Sequence, residues 1–257
     1  TALTDELNRR ILVLDGAMGT MIQSFNLDEP DFRGQIFADS KTQLKGLNDL
    51  LVLTRPDVIE SIHRQYIQAG ADIIETDSFN ANAISLAEYG LEHTVDELNY
   101  AAASLARKVA DEFPGTFVAG SMGPTSKSLS MLTDIDENDS TDFDSLARTY
   151  AKQASALIRG GVDALLIETV FDGLNAKAAV YGARQAMAAA NVRVPVMISI
   201  TLTEAGRTLS GQTIEALFAS VSHAHPLSIG LNCGFGAEGM TPYLETLDRL
   251  PAAVSLY

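Results

Sequence analysis

One stretch of the sequence recurs later in a similar form. The run Ala69-Gly70-Ala71-Asp72-Ile73-Ile74-Glu75-Thr76 returns as Gly160-Gly161-Val162-Asp163-Ala164-Leu165-Leu166-Ile167-Glu168-Thr169. Its aspartates stand at positions 72 and 163, and so are 91 apart. This separation is two units of the size expected when about eight units share roughly 250 to 300 residues. Such repetition is typical of a ring of equivalent units, and it favours a barrel over an open, doubly wound sheet.

Short β-rich runs alternate with amphipathic helical stretches along the whole chain. We predict seven strands, at Ile11–Asp15, Asp72–Asp77, Thr116–Ser121, Asp163–Glu168, Val194–Thr201, Leu227–Asn232 and Ala253–Tyr257. Parallel neighbouring strands need a crossover, which is usually a helix. The alternation therefore predicts the α/β class, with a parallel (β/α)8 or TIM barrel as the architecture.

Seven strand-and-helix units use the whole chain of 257 residues. A long insertion from about Gly16 to Leu53 follows the first strand and accounts for the length. We therefore expect residues 1–257 to be one barrel domain that lacks the eighth strand and the last helices.

The sequence predicts where the helix after this insertion begins and ends. Thr54-Arg55-Pro56-Asp57 places a capping hydroxyl and then a proline before an apolar face, and Gly70 follows its last turn. Proline in the first turn and glycine after the end are typical of a helix.

Composition narrows the class of partner. The formal net charge is −15, which opposes binding to nucleic acid or to anionic lipid, and we expect neither as a partner. The only cysteine is Cys233, so no disulfide forms within the chain, and cytoplasm is the expected location.

Polar residues stand where the predicted strands end, which is where a parallel barrel builds its active site. They are Asp15, Asp77, Ser121, Glu168, Thr201, Asn232 and Cys233. One interpretation is a catalytic or binding mouth. The other is that carboxylates such as Asp15 and Glu168 are held by backbone amides and play no chemical part.

Cys233 follows a strand and precedes a glycine turn, so it is either a small buried apolar residue or a metal ligand. His223 and His225 have metal-like spacing but precede a strand, and we interpret them as structural. The run from Gly234 to Gly239 matches G-x-G-x-x-G, although glycine-rich turns after strands are common in barrels.

Several of these motifs together resemble the homocysteine methyltransferases, and within that family the amino-terminal domain of the cobalamin-dependent methionine synthases. The resemblance spans nearly the whole chain. It rests on Leu12 to Met21, Phe32-Arg33-Gly34, Asn48 to Leu51, Ala71 to Thr76, Ile167 to Asp172, Ser210 to Thr213 and Gly230 to Cys233.

The resemblance implies a zinc ion bound by three cysteines. Cys233 is the first of them, and the other two are expected beyond Tyr257. It also implies that Asp15, Gly16, Ala17, Glu168 and Asn232 bind homocysteine, with the two carboxylates suited to its ammonium group. Zinc deprotonates a bound thiol, which would make homocysteine a nucleophile.

By the same resemblance, the methyl donor is methylcobalamin recharged from 5-methyltetrahydrofolate. Cobalamin, folate and reactivation domains of a parent chain would supply these groups, and the 257-residue chain alone is expected to be inactive. The alternatives are a stand-alone betaine- or S-methylmethionine-homocysteine methyltransferase, or a metal-free barrel lyase or binding module.

Two residues depart from the family pattern. Ala17 stands where a second glycine is common, and Asp77 stands where asparagine is common. The second departure predicts an added charge at the mouth of the barrel.

Overall fold

The structure is a computed structural model that describes residues 1–131 and 141–257. One six-stranded parallel sheet runs in the order β1-β2-β3-β4-β5-β6. The strands are β1 (Ile73–Glu75), β2 (Phe117–Met122), β3 (Ala164–Val170), β4 (Val196–Ile200), β5 (Ser228–Leu231) and β6 (Ala253–Leu256). Every neighbouring pair is parallel, which confirms the α/β class.

Helices connect each strand to the next. The described helices are α1 (Ala2–Leu7), α2 (Met18–Ser24), α3 (Glu29–Arg33), α4 (Leu51–Thr54), α5 (Pro56–Gln68), α6 (Ala83–Ala87), α7 (Val95–Ala110), α8 (Phe143–Gly160), α9 (Gly173–Ala190), α10 (Ile214–Val221) and α11 (Ala237–Asp248). Short 3-10 turns lie at Asn48–Leu50, Glu92–Thr94 and Ser222–Ala224. None of these helices is long and apolar enough to cross a membrane.

The two faces of the sheet bury different residues, because side chains alternate along a strand. One face packs against α7, α8 and α9 and contributes Ile74, Val118, Leu165, Ile198 and Ile229 to the main core. The other face forms a separate interior cluster of Leu3, Ile73, Ala119, Ala164, Leu166 and Met197. The sheet therefore curves around an interior of its own, as in a partial barrel.

The predicted first strand is wrong in extent. Within Ile11–Asp15, only Leu14 forms an isolated parallel bridge, to Ile73. The side chain of Asp72 accepts the hydrogen bond of Val13 N, at 2.8 Å, which leaves one backbone group fewer for a regular ladder. This segment lies at the edge of the sheet, with the Ile11 side chain 87% exposed.

The opposite edge of the sheet is β6. In the described residues, its one paired neighbour is β5. Leu12 and Leu14 line an apolar groove of about 240 Å3 together with Ala253 to Leu256. The two edges of the curved sheet therefore face each other across this groove.

The predicted insertion folds as a helical subdomain with its own core. Ile22, Phe32, Leu44, Leu50 and Leu51 pack there against residues of α5 and α7. The subdomain lies beside the end of β1, since Asp49 Oδ1 accepts a hydrogen bond from Asn80 N at 2.8 Å.

The start of α5 is as predicted at Pro56, but the expected cap is wrong. The helix begins after Arg55 without a side-chain cap, and Thr54 Oγ1 donates to Leu50 O at 3.2 Å. The preceding helix α4 ends at Thr54, so its hydroxyl already bonds within that turn. Gly70 follows the helix in a left-handed conformation, φ +109°, as predicted.

Candidate functional site

A polar layer lies directly above the apolar interior of the curved sheet. Side chains two positions further along a strand share its face. From Ile73, Ala119, Leu166 and Met197 of the interior cluster, this step leads to Glu75, Ser121, Glu168 and Ser199. All four stand toward the carboxyl ends of their strands, where a parallel barrel builds its site.

Glu168 is the most fully hydrogen-bonded acid in this layer. Ser121 Oγ donates to its Oε1, and Tyr257 Oη donates to its Oε2 at 3.2 Å. Its side chain is buried. Burial raises the pKa of Glu168, and the hydrogen bonds from Ser121 and Tyr257 oppose that rise. Glu168 is thus fixed in place with both oxygens engaged.

Asp15 enters the same layer from the segment beside β1. Its Oδ2 accepts a hydrogen bond from Glu75 N at 3.0 Å, whereas its Oδ1 is buried without a partner. Burial raises the pKa of Asp15 to about 8, and the negative charge of Glu168 adds to the rise. The predicted pair of carboxylates is therefore brought together.

Glu75 is a third acid in the layer, and the sequence predictions missed it. Its Oε1 is buried without a hydrogen-bond partner. Burial raises its pKa well above the ordinary value, and Glu168, Asp15 and Cys233 add to the rise. The internal repeat carried the signal, because Glu75-Thr76 ends the first copy as Glu168-Thr169 ends the second.

Asn232 connects three segments of the site. Its Oδ1 accepts from Ser199 Oγ at 2.8 Å and from Thr169 N at 3.1 Å. Its Nδ2 donates to Thr169 Oγ1 at 2.8 Å and to Cys233 Sγ at 3.3 Å. The amide thus holds the ends of β3, β4 and β5 in register.

Cys233 is exposed at the end of β5, in a left-handed conformation with φ 58°. This position excludes the alternative of a buried apolar residue. Thiolate is a preferred zinc ligand, but a catalytic zinc needs about three protein ligands. Among residues 1–131 and 141–257, no group of three or more His, Cys, Asp or Glu could hold a metal ion. The described residues supply one suitable ligand and do not form a complete zinc site.

Gly16 and Ala17 form an exposed turn after Asp15, supported by Tyr66 of α5. Tyr66 Oη donates to Ala17 O at 3.1 Å. A Cβ at Gly16 would lie 3.0 Å from the same hydroxyl, so glycine permits this close approach. The methyl group of Ala17 meets no such restriction, since Ala17 is exposed.

Asp77 is buried beside the insertion, and its main charged neighbour is Asp49. Both side chains are buried, and each has an Oδ2 atom without a partner. Burial raises the pKa of Asp77 well above the ordinary value, and Asp49 adds to the rise. Burial therefore opposes the added charge that the sequence predicted at the mouth.

Of the remaining predicted residues, some belong to the site and others lie elsewhere in the fold. Ser121 belongs to the site through Glu168. Thr201 follows β4 and bonds through its backbone N to Val170 O at 3.1 Å. His223 and His225 lie before β5, at the opposite end of the sheet from Cys233, as the structural interpretation requires.

A curved parallel sheet with a polar site at the carboxyl ends of its strands defines the class of TIM-barrel-like α/β enzymes. Residues 12–257 match the model of the homocysteine S-methyltransferase family, and the chain belongs to that family. This match confirms the family that the motifs indicated.

Solved structures of the homocysteine methyltransferase MmuM from Escherichia coli have a similar fold. The metallated form is 22% identical, with a TM-score of 0.75, and the match covers 100% of this chain and 87% of that one. The oxidized form is 24% identical, with a TM-score of 0.74, and the match covers 100% and 86%. At these identities, the likeness concerns the fold.

Proposed function

We propose that this chain binds homocysteine by its amino-acid end and presents the thiol for methylation to methionine. The observation that carries the proposal is the buried carboxylate pair Asp15 and Glu168 in one polar layer with Asn232, next to the exposed thiol of Cys233. These carboxyl groups suit an ammonium group, because the bound cation favours their ionised form and charge-assisted hydrogen bonds are the strong ones.

Each residue has a part in holding the substrate. Asp15 and Glu168 accept hydrogen bonds from the ammonium group, and the exposed backbone of Gly16 and Ala17 meets the substrate carboxylate. Asn232 orients the substrate and Cys233 through its bonds to Thr169 Oγ1 and Cys233 Sγ. The amino-acid end is thereby fixed, and the thiol extends toward Cys233.

Zinc is the metal that the proposed reaction uses, because it deprotonates a thiol on binding. Cys233 is its one ligand among the described residues, and the remaining ligands would have to come from elsewhere. The chain alone is therefore proposed to bind homocysteine without turnover.

The proposed methyl donor is methylcobalamin, recharged from 5-methyltetrahydrofolate by further domains of a parent enzyme in the cytoplasm. The run Ile167 to Asp172 and the folded insertion from Gly16 to Leu53 support this choice. The alternative within the family is a stand-alone enzyme that uses betaine or S-methylmethionine. A metal-free lyase or binding module is the alternative outside it.

Isothermal titration of L-homocysteine into the wild-type chain and the Asp15→Asn variant tests the proposal. Asparagine keeps an acceptor for Glu75 N but removes the charge, so we expect roughly 10- to 100-fold weaker binding. Asp248→Asn, at an exposed position, is the matched control and should bind as the wild type does. Equal affinity of Asp15→Asn and wild type would reject this substrate site.

A further inference from the structure

Two oxygens of the polar layer have no partner. Asp15 Oδ1 and Glu75 Oε1 are both buried and accept no hydrogen bond. A buried polar atom left unpaired costs about 1–3 kcal/mol, so such atoms in native proteins call for an explanation. Glu168 differs, because Ser121 and Tyr257 donate to its two oxygens.

The two unpaired oxygens belong to adjacent groups. Glu75 N donates to the other oxygen of Asp15, at 3.0 Å, so the Asp15 carboxylate lies against the backbone of Glu75 at the end of β1. Asp15, Glu168 and Cys233 are the ionisable neighbours that raise the pKa of Glu75, and all of them are acidic groups. A hydrogen-bond donor with positive charge would satisfy these oxygens and also offset the acidic groups around them.

We infer that Glu75 is a substrate-binding residue that shares the ammonium group of the amino acid with Asp15 and Glu168. The inference rests on the proposed function and adds to it the residue that selects thiols bearing an α-amino group. An ammonium group has three donors. Asp15 Oδ1 and Glu75 Oε1 accept two of them, and Glu168 lies beside them to accept the third.

The Glu75→Gln variant tests this inference against two ligands. L-homocysteine carries the amino group, and 4-mercaptobutanoate is the same thiol acid without it. We expect Glu75→Gln to weaken homocysteine binding by about 10-fold or more and to change 4-mercaptobutanoate binding by less than about 2-fold, measured by calorimetric titration and competition.

Thermal unfolding separates a binding role from a structural one. Glutamine removes a buried acid, and its Nε2 can donate to Asp15 Oδ1, so the variant should melt at the wild-type temperature or above it. Glu88→Gln, at an exposed position after α6, is the matched control for both measurements. The shorter Glu75→Asp should likewise weaken homocysteine selectively, because its carboxylate is withdrawn from the ligand.

Three results would overturn the inference. Equal losses for both ligands with a lower melting temperature would make Glu75 structural. Unchanged homocysteine binding in Glu75→Gln would reject a role for Glu75 in binding but would not contradict the proposed site at Asp15. If the wild type did not bind homocysteine, both the proposed function and this inference would be rejected.

Discussion

The pair Asp49 and Asp77 places two acids in the protein interior with no cation as an ion-pair partner among the described residues. Burial is the largest cause of the raised pKa of each, and it raises the pKa of Asp49 to about 6. The folded protein therefore holds protons that the unfolded chain releases at lower pH. Stability contributed by these protons is present below the unfolded pKa of about 4 and is lost as pH rises through the folded values.

Asp77→Asn should stabilise the protein at alkaline pH. The amide can donate to the unpaired Oδ2 of Asp49 and carries no charge, so we expect a gain of roughly 1–3 kcal/mol at about pH 8 that shrinks toward about pH 5. Urea unfolding at both pH values measures it. The exposed Asp39→Asn should show no such pH-dependent gain. A loss of stability at the higher pH would show that the ionised pair is favourable.

Apolar runs in the sequence predicted several of the polar residues that lie near strand ends. Asp15, Glu168 and Asn232 follow strongly apolar runs, and the structure brings them into one site. Glu75 was missed because Asp77 was taken as the end of its strand. The observed strand ends at Glu75, and the inward direction of that side chain depends on the register with the next strand.

Asp172 shows how one residue can serve two elements. It is the N-cap of α9 and accepts from Leu174 N at 2.8 Å. It also accepts from Ser128 Oγ, Ser130 N and Ser130 Oγ of the loop after β2. Burial raises its pKa, but these hydrogen bonds outweigh burial, and the net pKa is lowered. The loop is thereby fixed to the start of the helix that follows Glu168.

Asp172→Ala should destabilise the protein by about 2–4 kcal/mol, because it removes a cap and leaves the loop donors unpaired. Asp142→Ala is the matched comparison. Asp142 caps α8 by accepting from Ser145 N, and its loss should cost about 1 kcal/mol. Chemical unfolding of both variants measures the difference. Equal costs would mean that the loop contacts contribute nothing beyond the cap.

Helix boundaries were predicted correctly where residues next to the boundary determine it. The start of α5 at Pro56 and its glycine stop at Gly70 were predicted. The predicted strand Ile11–Asp15 formed only as a bridge at Leu14, because a strand is defined by its pairing with neighbours. Apolar alternation indicates a strand but does not supply the partner.

At the scale of the whole molecule, two edges of the sheet formed by the described residues face one groove. The side chains of Ile11 and Val13 are 87% and 53% exposed at one edge, and Val254 and Leu256 are 40% and 38% exposed at the other. Unpaired backbone edges beside apolar side chains are known sites of association between chains. A second copy of this chain is the partner that these edges would recruit in a pure sample.

The 257-residue chain should therefore self-associate as its concentration rises, which multi-angle light scattering detects. Val254→Lys places a charge on the edge and should weaken association by about tenfold or more. Leu209→Lys is the matched control, since Leu209 is 62% exposed away from the groove. A monomeric mass at all concentrations would contradict the prediction.

The sequence by itself determined the α/β class, the family, and the residue types at the strand ends. These depend on local periodicity and on motifs that are read in order along the chain. Tertiary structure decided that Glu75 joins Asp15 and Glu168, that Asp77 is buried with Asp49, and that Leu14 forms only a bridge. Burial and hydrogen bonding arise between segments distant in sequence, and they decide which acids have hydrogen-bond partners and which have none.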